Sequence, residues 1–328
     1  MKKGQKSILA YALNRLLQGI PMIIMVIILT FVLINLAPGD PVSMMTAGID
    51  PTPDMRALLE KQWGIDEPLF VQLIKYLGRI LTGDFGMSYF QGKSVVDIIL
   101  ERLPPTLLLM MTAILISTIF GIVCGIISAY HMYKRIDSVL SIAALIGYSA
   151  PLFWVGQVLI IVFAVVLDIF PVSGMHDLRM AATGFKKILD TAKHLFLPSL
   201  SLTFWFSALM MRVTRTKMSD ILQSDYIKTA RAKGLSETKV IMGHAFRNAL
   251  APIITVLGFE LGAVVMGATV VETIFGWPGM GRLMYESILR RDYPLITGIF
   301  FFVSLSIILV NILVDIMYAV FDPQVRYE

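Results

Sequence analysis

Glu260 is the first of the few side chains here that could do chemistry. It is the one acidic residue near the middle of an apolar stretch, within GlyPheGluLeuGly at 258–262. A charge at the centre of a bilayer costs about 2.5–3.5 kcal/mol on insertion scales, so such a group faces a cavity or a partner. Gly258 and Gly262 flank it as a GxxxG pair, with Gly267 beyond, which lets one helix face approach another closely. Two roles fit these residues. Glu260 either faces a wet cavity and meets a cationic group there, or sits protonated or hydrogen-bonded at a close helix contact. Asn311 and Asp315, one turn apart in the last apolar run, fit a structural polar contact.

Other candidates fail on spacing. His131, His176, His194 and His244 have no ligand spacing and fall on both sides of the expected topology, so no metal site is predicted. Gly92, Lys93 and Ser94 resemble the end of a phosphate-binding loop, but that motif needs four residues between its glycines. Gly86 and Gly92 have five between them, and no strand precedes. Cys124 stands alone in an apolar run, which excludes a disulfide framework and a thiolate site. With no nucleophile–base set visible, the chain is not expected to be an enzyme.

The elements that hold these residues are membrane helices. Of 328 residues, 56% are hydrophobic and 16% charged, against roughly a quarter charged in soluble domains. Six runs approach the roughly 20 residues that span a bilayer: Leu16–Leu36, Thr106–Ala129, Val139–Leu167, Leu195–Met211, Ile253–Val271 and Leu295–Val320. The fourth is short and holds Pro198; the third is long and holds Pro151, which predicts a kink or tilt rather than two spans. The expectation is an all-α integral membrane protein with six transmembrane helices. The parts are a tail and first span over 1–37, an outer segment over 38–104, a core of five spans over 105–320, and a tail over 321–328. The net charge of +5 lies beside the spans, which fits lipid topology and no nucleic-acid partner. Basic flanks at the N-terminus, 131–135 and 212–247 place both termini inside. The outer segment, with nine acidic and six basic residues, is long enough to translocate regardless of charge. Its helical spacing over Met55–Trp63 and Pro68–Leu81 fits a small amphipathic cap on the membrane, or a docking platform.

One interval between spans is longer and more structured than a turn requires. Ser224 or Asp225 can cap a helix over 226–233, TyrIleLysThrAlaArgAlaLys. Gly234 can end it in the left-handed conformation, with Leu235 returning toward Ala230. Ser236 then caps a second helix reaching about Leu250, before Pro252 opens the next span. Thr229, Ala230, Ala232 and Gly234 keep this elbow slim, while Arg231 and Lys233 make it basic. A slim basic elbow suits a groove on a partner; an ordinary solvated loop beside anionic lipids is the alternative.

The run 226–236, followed by HisAlaPheArgAsnAlaLeuAlaPro at 244–252, resembles the cytoplasmic loop of ABC importer permeases, closest to the dipeptide, oligopeptide and nickel subgroup (B-type subunit). AlaProGlyAspPro at 37–41, ValGluThrIlePheGlyTrpProGlyMetGlyArgLeu at 271–283 and AspProGlnValArg at 322–326 agree with it. The resemblance implies the type I importer architecture, N-in and C-in, in a prokaryotic inner membrane. It implies import of di- or oligopeptides, with nickel or oligosaccharides as alternatives. The implied partners are a homologous second permease, two cytoplasmic ATPases and an extracytoplasmic solute-binding protein. ATP and magnesium would sit on the ATPases, leaving no cofactor on this chain. Within the loop at 213–250, Asp225, Tyr226 and Thr229 to Ser236 would form the coupling elbow, and Trp277, Pro278 and Gly279 would help form an outer gate. The general pattern has Glu-Ala-Ala ahead of the glycine; this chain has Lys228, Thr229 and Ala230, so no role for that glutamate transfers. A stand-alone channel or secondary transporter is the rival, and no internal repeat supports it.

Overall fold

The computed structural model describes residues 8–36, 52–63, 67–177, 179, 183–264 and 268–321. The motifs at 37–41 and 322–326, and Gly267, lie outside them. The described residues form helices α1 (Ile8–Leu36), α2 (Pro53–Trp63), α3 (Leu69–Leu81), α4 (Val95–Tyr130), α5 (Arg135–Ser149) and α6 (Leu152–Val166). They continue with α7 (Phe185–Leu222), α8 (Asp225–Ala232), α9 (Lys239–Ala263), α10 (Thr269–Ile274), α11 (Met280–Arg290) and α12 (Tyr293–Phe321). Among the described residues five helices are long and apolar enough to cross a membrane; α5 and α6 pass the same test only as a bent pair, which makes a broken sixth span or a re-entrant loop.

Several boundaries differ from expectation. The third run is no gentle kink, since α5 and α6 meet at 102°. Pro151 lacks an amide hydrogen and pushes Ala150 into an extended conformation, with ψ at 131°. The short fourth run is part of a 38-residue helix, about 57 Å long at 1.5 Å per residue. Hydropathy marks only its apolar middle, while the turns carrying Lys186 and Lys187 before it and Arg212, Arg215 and Lys217 after it fall outside that run. Likewise α4 begins at Val95 and runs through Pro104 and Pro105, so the outer segment ends earlier than predicted. Pro252 opens nothing: it lies inside α9. The interval 213–250 is therefore helix over most of its length, and only residues 223–238 project as a separate elbow. The fifth run splits, with α9 ending at Ala263 and α10 starting at Thr269.

The centre of the bundle is α4 against α7. A methyl group on Gly121 would fall 2.7 Å from Met210 Cβ, and one on Gly125 would fall 2.6 Å from Thr214 Cβ. These glycines bring the two backbones together. Around that pair one apolar cluster joins Leu109, Met110, Leu197, Phe206 and Trp277. A second, at the elbow end, joins Ala129, Met218, Ile227, Ala230, Val240 and Ala249. The opposite, cap end closes on Val95, Ile98, Met280, Leu283 and Leu295. There α3 leans on α1 and α12, with the Phe31 and Tyr76 rings 5.4 Å apart and the Tyr76 hydroxyl bonded to Thr297. Lys93, in the phosphate-loop mimic, pairs with Glu101 at 3.3 Å beside a turn at Gly92.

Candidate functional site

The elbow is built by backbone more than by caps. Only residues 223 and 224 separate α7 from α8, and the Ser224 hydroxyl turns back to donate to the Ile221 carbonyl. No side chain caps α8. The Asp225 carboxylate is committed elsewhere, to Lys228 at 2.8 Å. The ending is as expected: Gly234 has φ +75°, a conformation that costs other residues free energy. Leu235 packs on the cluster that holds Ala230.

Side-chain directions sharpen the site. Thr229, Arg231, Ala232, Lys233, Gly234 and Ser236 are exposed. Ala230 is not, nor is Ile227; both pack inward against α4, α7 and α9. Ala230 is thus small where it packs into the chain's own core. Arg231 grips Glu237 through Nε and Nη2 at 2.8 and 3.3 Å, which braces the two arms of the elbow. The Tyr226 hydroxyl accepts from the Asn248 amide at 2.9 Å. The second arm is continuous with α9, its first turns wound as a π-helix over Lys239–Phe246. The elbow therefore joins the end of α7 to the start of α9.

Glu260 is fully buried, and neither carboxylate oxygen has a hydrogen-bond partner among the described residues. It lies on the side of α9 that carries Ile253, Val256 and Val264, which enter the apolar clusters. The flanking glycines divide. A methyl on Gly258 would fall 2.6 Å from Val314 of α12, whereas Gly262 meets nothing within 4 Å. Among the described residues of this chain, only Gly258 of the pair meets another helix.

The segment at 277–279 is a packed knot. Trp277 is fully buried and donates from Nε1 to the Pro105 carbonyl at 2.9 Å. Glu272, also fully buried, accepts the Thr106 hydroxyl at 2.8 Å and the Arg282 N–H at 2.9 Å. Thr106 in turn accepts the Met280 N–H at 2.7 Å. Gly279 passes so close that a methyl there would fall 2.2 Å from Glu272 Oε1. Pro278 joins the two and is half-buried. Glu272 lies within the motif at 271–283, but its partner Thr106 is 166 residues away and carries no local signal.

Histidines also meet where none was expected to. His194 and His176 bring Nδ1 to 3.2 and 3.9 Å from the two oxygens of the Asp190 carboxylate. The Asp190–His194 spacing of four was the available signal. Among the described residues no group of three or more ligating side chains could hold a metal ion. Asn311 and Asp315 lie one turn apart on α12.

Residues 121–327 match the family described as the binding-protein-dependent transport system inner membrane component, and residues 8–110 match its N-terminal companion. The chain belongs to this family. The permease is 39% identical over 319 residues to the oligopeptide transport system permease protein AppB of Bacillus subtilis (strain 168), covering 97% of this chain and 99% of that one. It is 39% identical over 334 residues to the di/tripeptide transport system permease protein DppB of Pseudomonas aeruginosa (strain UCBPP-PA14), covering 98% and 99%. It is 38% identical over 320 residues to the glutathione transport system permease protein GsiC of Escherichia coli (strain K12), covering 98% and 100%. In fold, the permease resembles a chain of the MetNI methionine ABC transporter in inward-facing conformations. The TM-score is 0.53 at 11% identity, over 69% of this chain and 97% of that one. The permease is thus a multi-pass inner-membrane component of an ABC importer, with the type I permease architecture.

Proposed function

We propose that the permease forms half of a pathway for short peptides and that ATPase subunits drive it through the elbow at 225–236. One observation supports the second part above all. The exposed face of the elbow sits at the junction of two helices, α7 and α9, that both run on into the membrane. A push at that junction moves spans rather than a loop, and a two-state element biased at a distance is what coupling requires. Peptide transport is favoured by the relatives, which are permeases for oligopeptides, di- and tripeptides and glutathione. On this reading the elbow end is cytoplasmic, in keeping with its basic flanks, and both termini lie on that side. A homologous permease completes the pathway, two ATPases carry ATP and magnesium, and an external binding protein delivers the peptide. Glu260 belongs to the path once the bundle opens, and the Trp277–Gly279 knot frames the outer gate.

Gly234→Pro tests the elbow, because proline holds φ near −65° and cannot adopt +75°. The variant should insert and assemble like the parent, with any loss of stability confined to the elbow, yet abolish uptake of labelled tripeptides by the reconstituted importer. Uptake at the parental rate would overturn the coupling role.

A further inference from the structure

A second polar centre lies at the elbow end, where three helices converge on Asp137. This carboxylate is buried at the start of α5. Arg215 of α7 grips it with two parallel bonds, Nε at 2.6 Å and Nη2 at 2.8 Å. The fully buried Ser128 of α4 donates to it at 2.6 Å, the Tyr133 N–H at 3.0 Å and the Ser141 hydroxyl at 3.4 Å. Tyr133 adopts φ +64° to bring its amide there, a conformation unusual outside glycine. The same corner is tied again by Met132, whose sulfur accepts the Ser219 hydroxyl of α7 at 2.8 Å.

A buried ion pair is poor evidence of stability, since apolar side chains of like volume do as well or better. What a bidentate pair supplies is register, because two fixed bonds leave one relative position of the helices. The location gives that register a use. Arg215 is seven residues before Leu222, the last residue of α7, about 10 Å of helix from the elbow. Asp137 begins the span that turns through 102° at Pro151, while Gly121 and Gly125 already fuse α4 to α7.

We propose that the Asp137–Arg215 pair is the joint that passes movement of the elbow to the bent α5–α6 span, so that α4, α7 and the start of α5 swing as one body. Asp137 and Arg215 are positioning residues, acting through the helices they lock. The proposal rests on the coupling role of the elbow.

The test uses the full importer in proteoliposomes, with its ATPases and its binding protein. Two variants separate joint from scaffold: Arg215→Lys, which keeps the charge and loses the fork, and the double variant Asp137→Leu/Arg215→Met, which replaces the pair by apolar volume. Both should assemble, and melting of the double variant measures any structural cost, since the apolar pair offsets the lost ion pair while the Ser128 hydroxyl and the Tyr133 N–H lose their acceptor. Both should keep basal ATP hydrolysis, while its stimulation by loaded binding protein and the uptake of labelled tripeptides fall roughly fivefold or more. Parental stimulation and uptake in the assembled double variant would overturn the joint. So would a loss that only tracks the amount of assembled complex. Gly234→Pro is measured alongside. If it uncouples while the double variant does not, the joint alone fails; if the double variant uncouples and Gly234→Pro does not, the elbow fails instead.

Discussion

At Gly279 the backbone runs so close to Glu272 that a single added methyl group has nowhere to go. Glu272 cannot yield, being held by Thr106 on one oxygen and by the Arg282 amide on the other. Gly279→Ala should therefore destabilise the permease by about 1–3 kcal/mol, as overpacked cores do. Thermal melting of the purified protein checks this, with Gly262→Ala, which meets nothing within 4 Å, as the neutral control. Glu260 poses the reverse case, a buried acid with no partner among the described residues. Glu260→Gln should leave the melting temperature unchanged or raise it, because an unpartnered carboxylate is replaced by a neutral amide. Uptake then decides its role: reduced uptake places it on the path, and parental uptake of every peptide tested removes it. Tyr76, on α3, is pushed up to about 12 by burial, against a smaller opposing effect from its bond to Thr297. The fold thus favours the neutral phenol, and that stabilisation is present below the unfolded value near 10 and lost as pH rises through the folded one. Between pH 10 and 12 the parent should lose stability that Tyr76→Phe does not, as read by melting across that range.

Individual helices obey local rules where they are amphipathic and escape them where they are long. The spacing over 68–81 did predict α3, and the structure leaves Phe70, Ile74 and Leu81 exposed beside α1. A face of that kind on an outer helix fits immersion in the lipid interface. A spin label at Ile74→Cys should be more accessible to oxygen than to a polar nickel complex, and one at Lys75→Cys the reverse. The label is specific because Cys124 is buried. Equal polarity at both sites would favour the docking-platform alternative. By contrast, the length of α7 was invisible to hydropathy, which sees only its membrane portion. The severity of the α5–α6 bend was hidden as well: Pro151 shows that the chain must break, while packing sets the angle.

Across the whole molecule, the large apolar side chains that remain outside, such as Leu115, Ile119 and Phe259, are exposed in this chain. In a membrane component such surface is covered by lipid or by other subunits. A chain working as half of a pathway should pass nothing by itself. Proteoliposomes holding the permease without ATPase subunits should show no tripeptide flux above empty vesicles. Flux at that stage would restore the stand-alone channel rejected above.

Sequence alone determined the membrane helices, the elbow and its turn at Gly234, because hydropathy and backbone preference act over a few residues and are legible along one dimension. It also determined the family, whose motifs are short and local. Only the tertiary structure decided which polar groups meet. Glu272 finds Thr106 across 166 residues and Arg215 finds Asp137 across 78, partnerships fixed by helix packing and not by spacing. It likewise decided that Ala230 faces inward, that Glu260 is closed off, and that the arms of the elbow are the ends of two spans. Those facts depend on which helix lies beside which, and no periodicity records that.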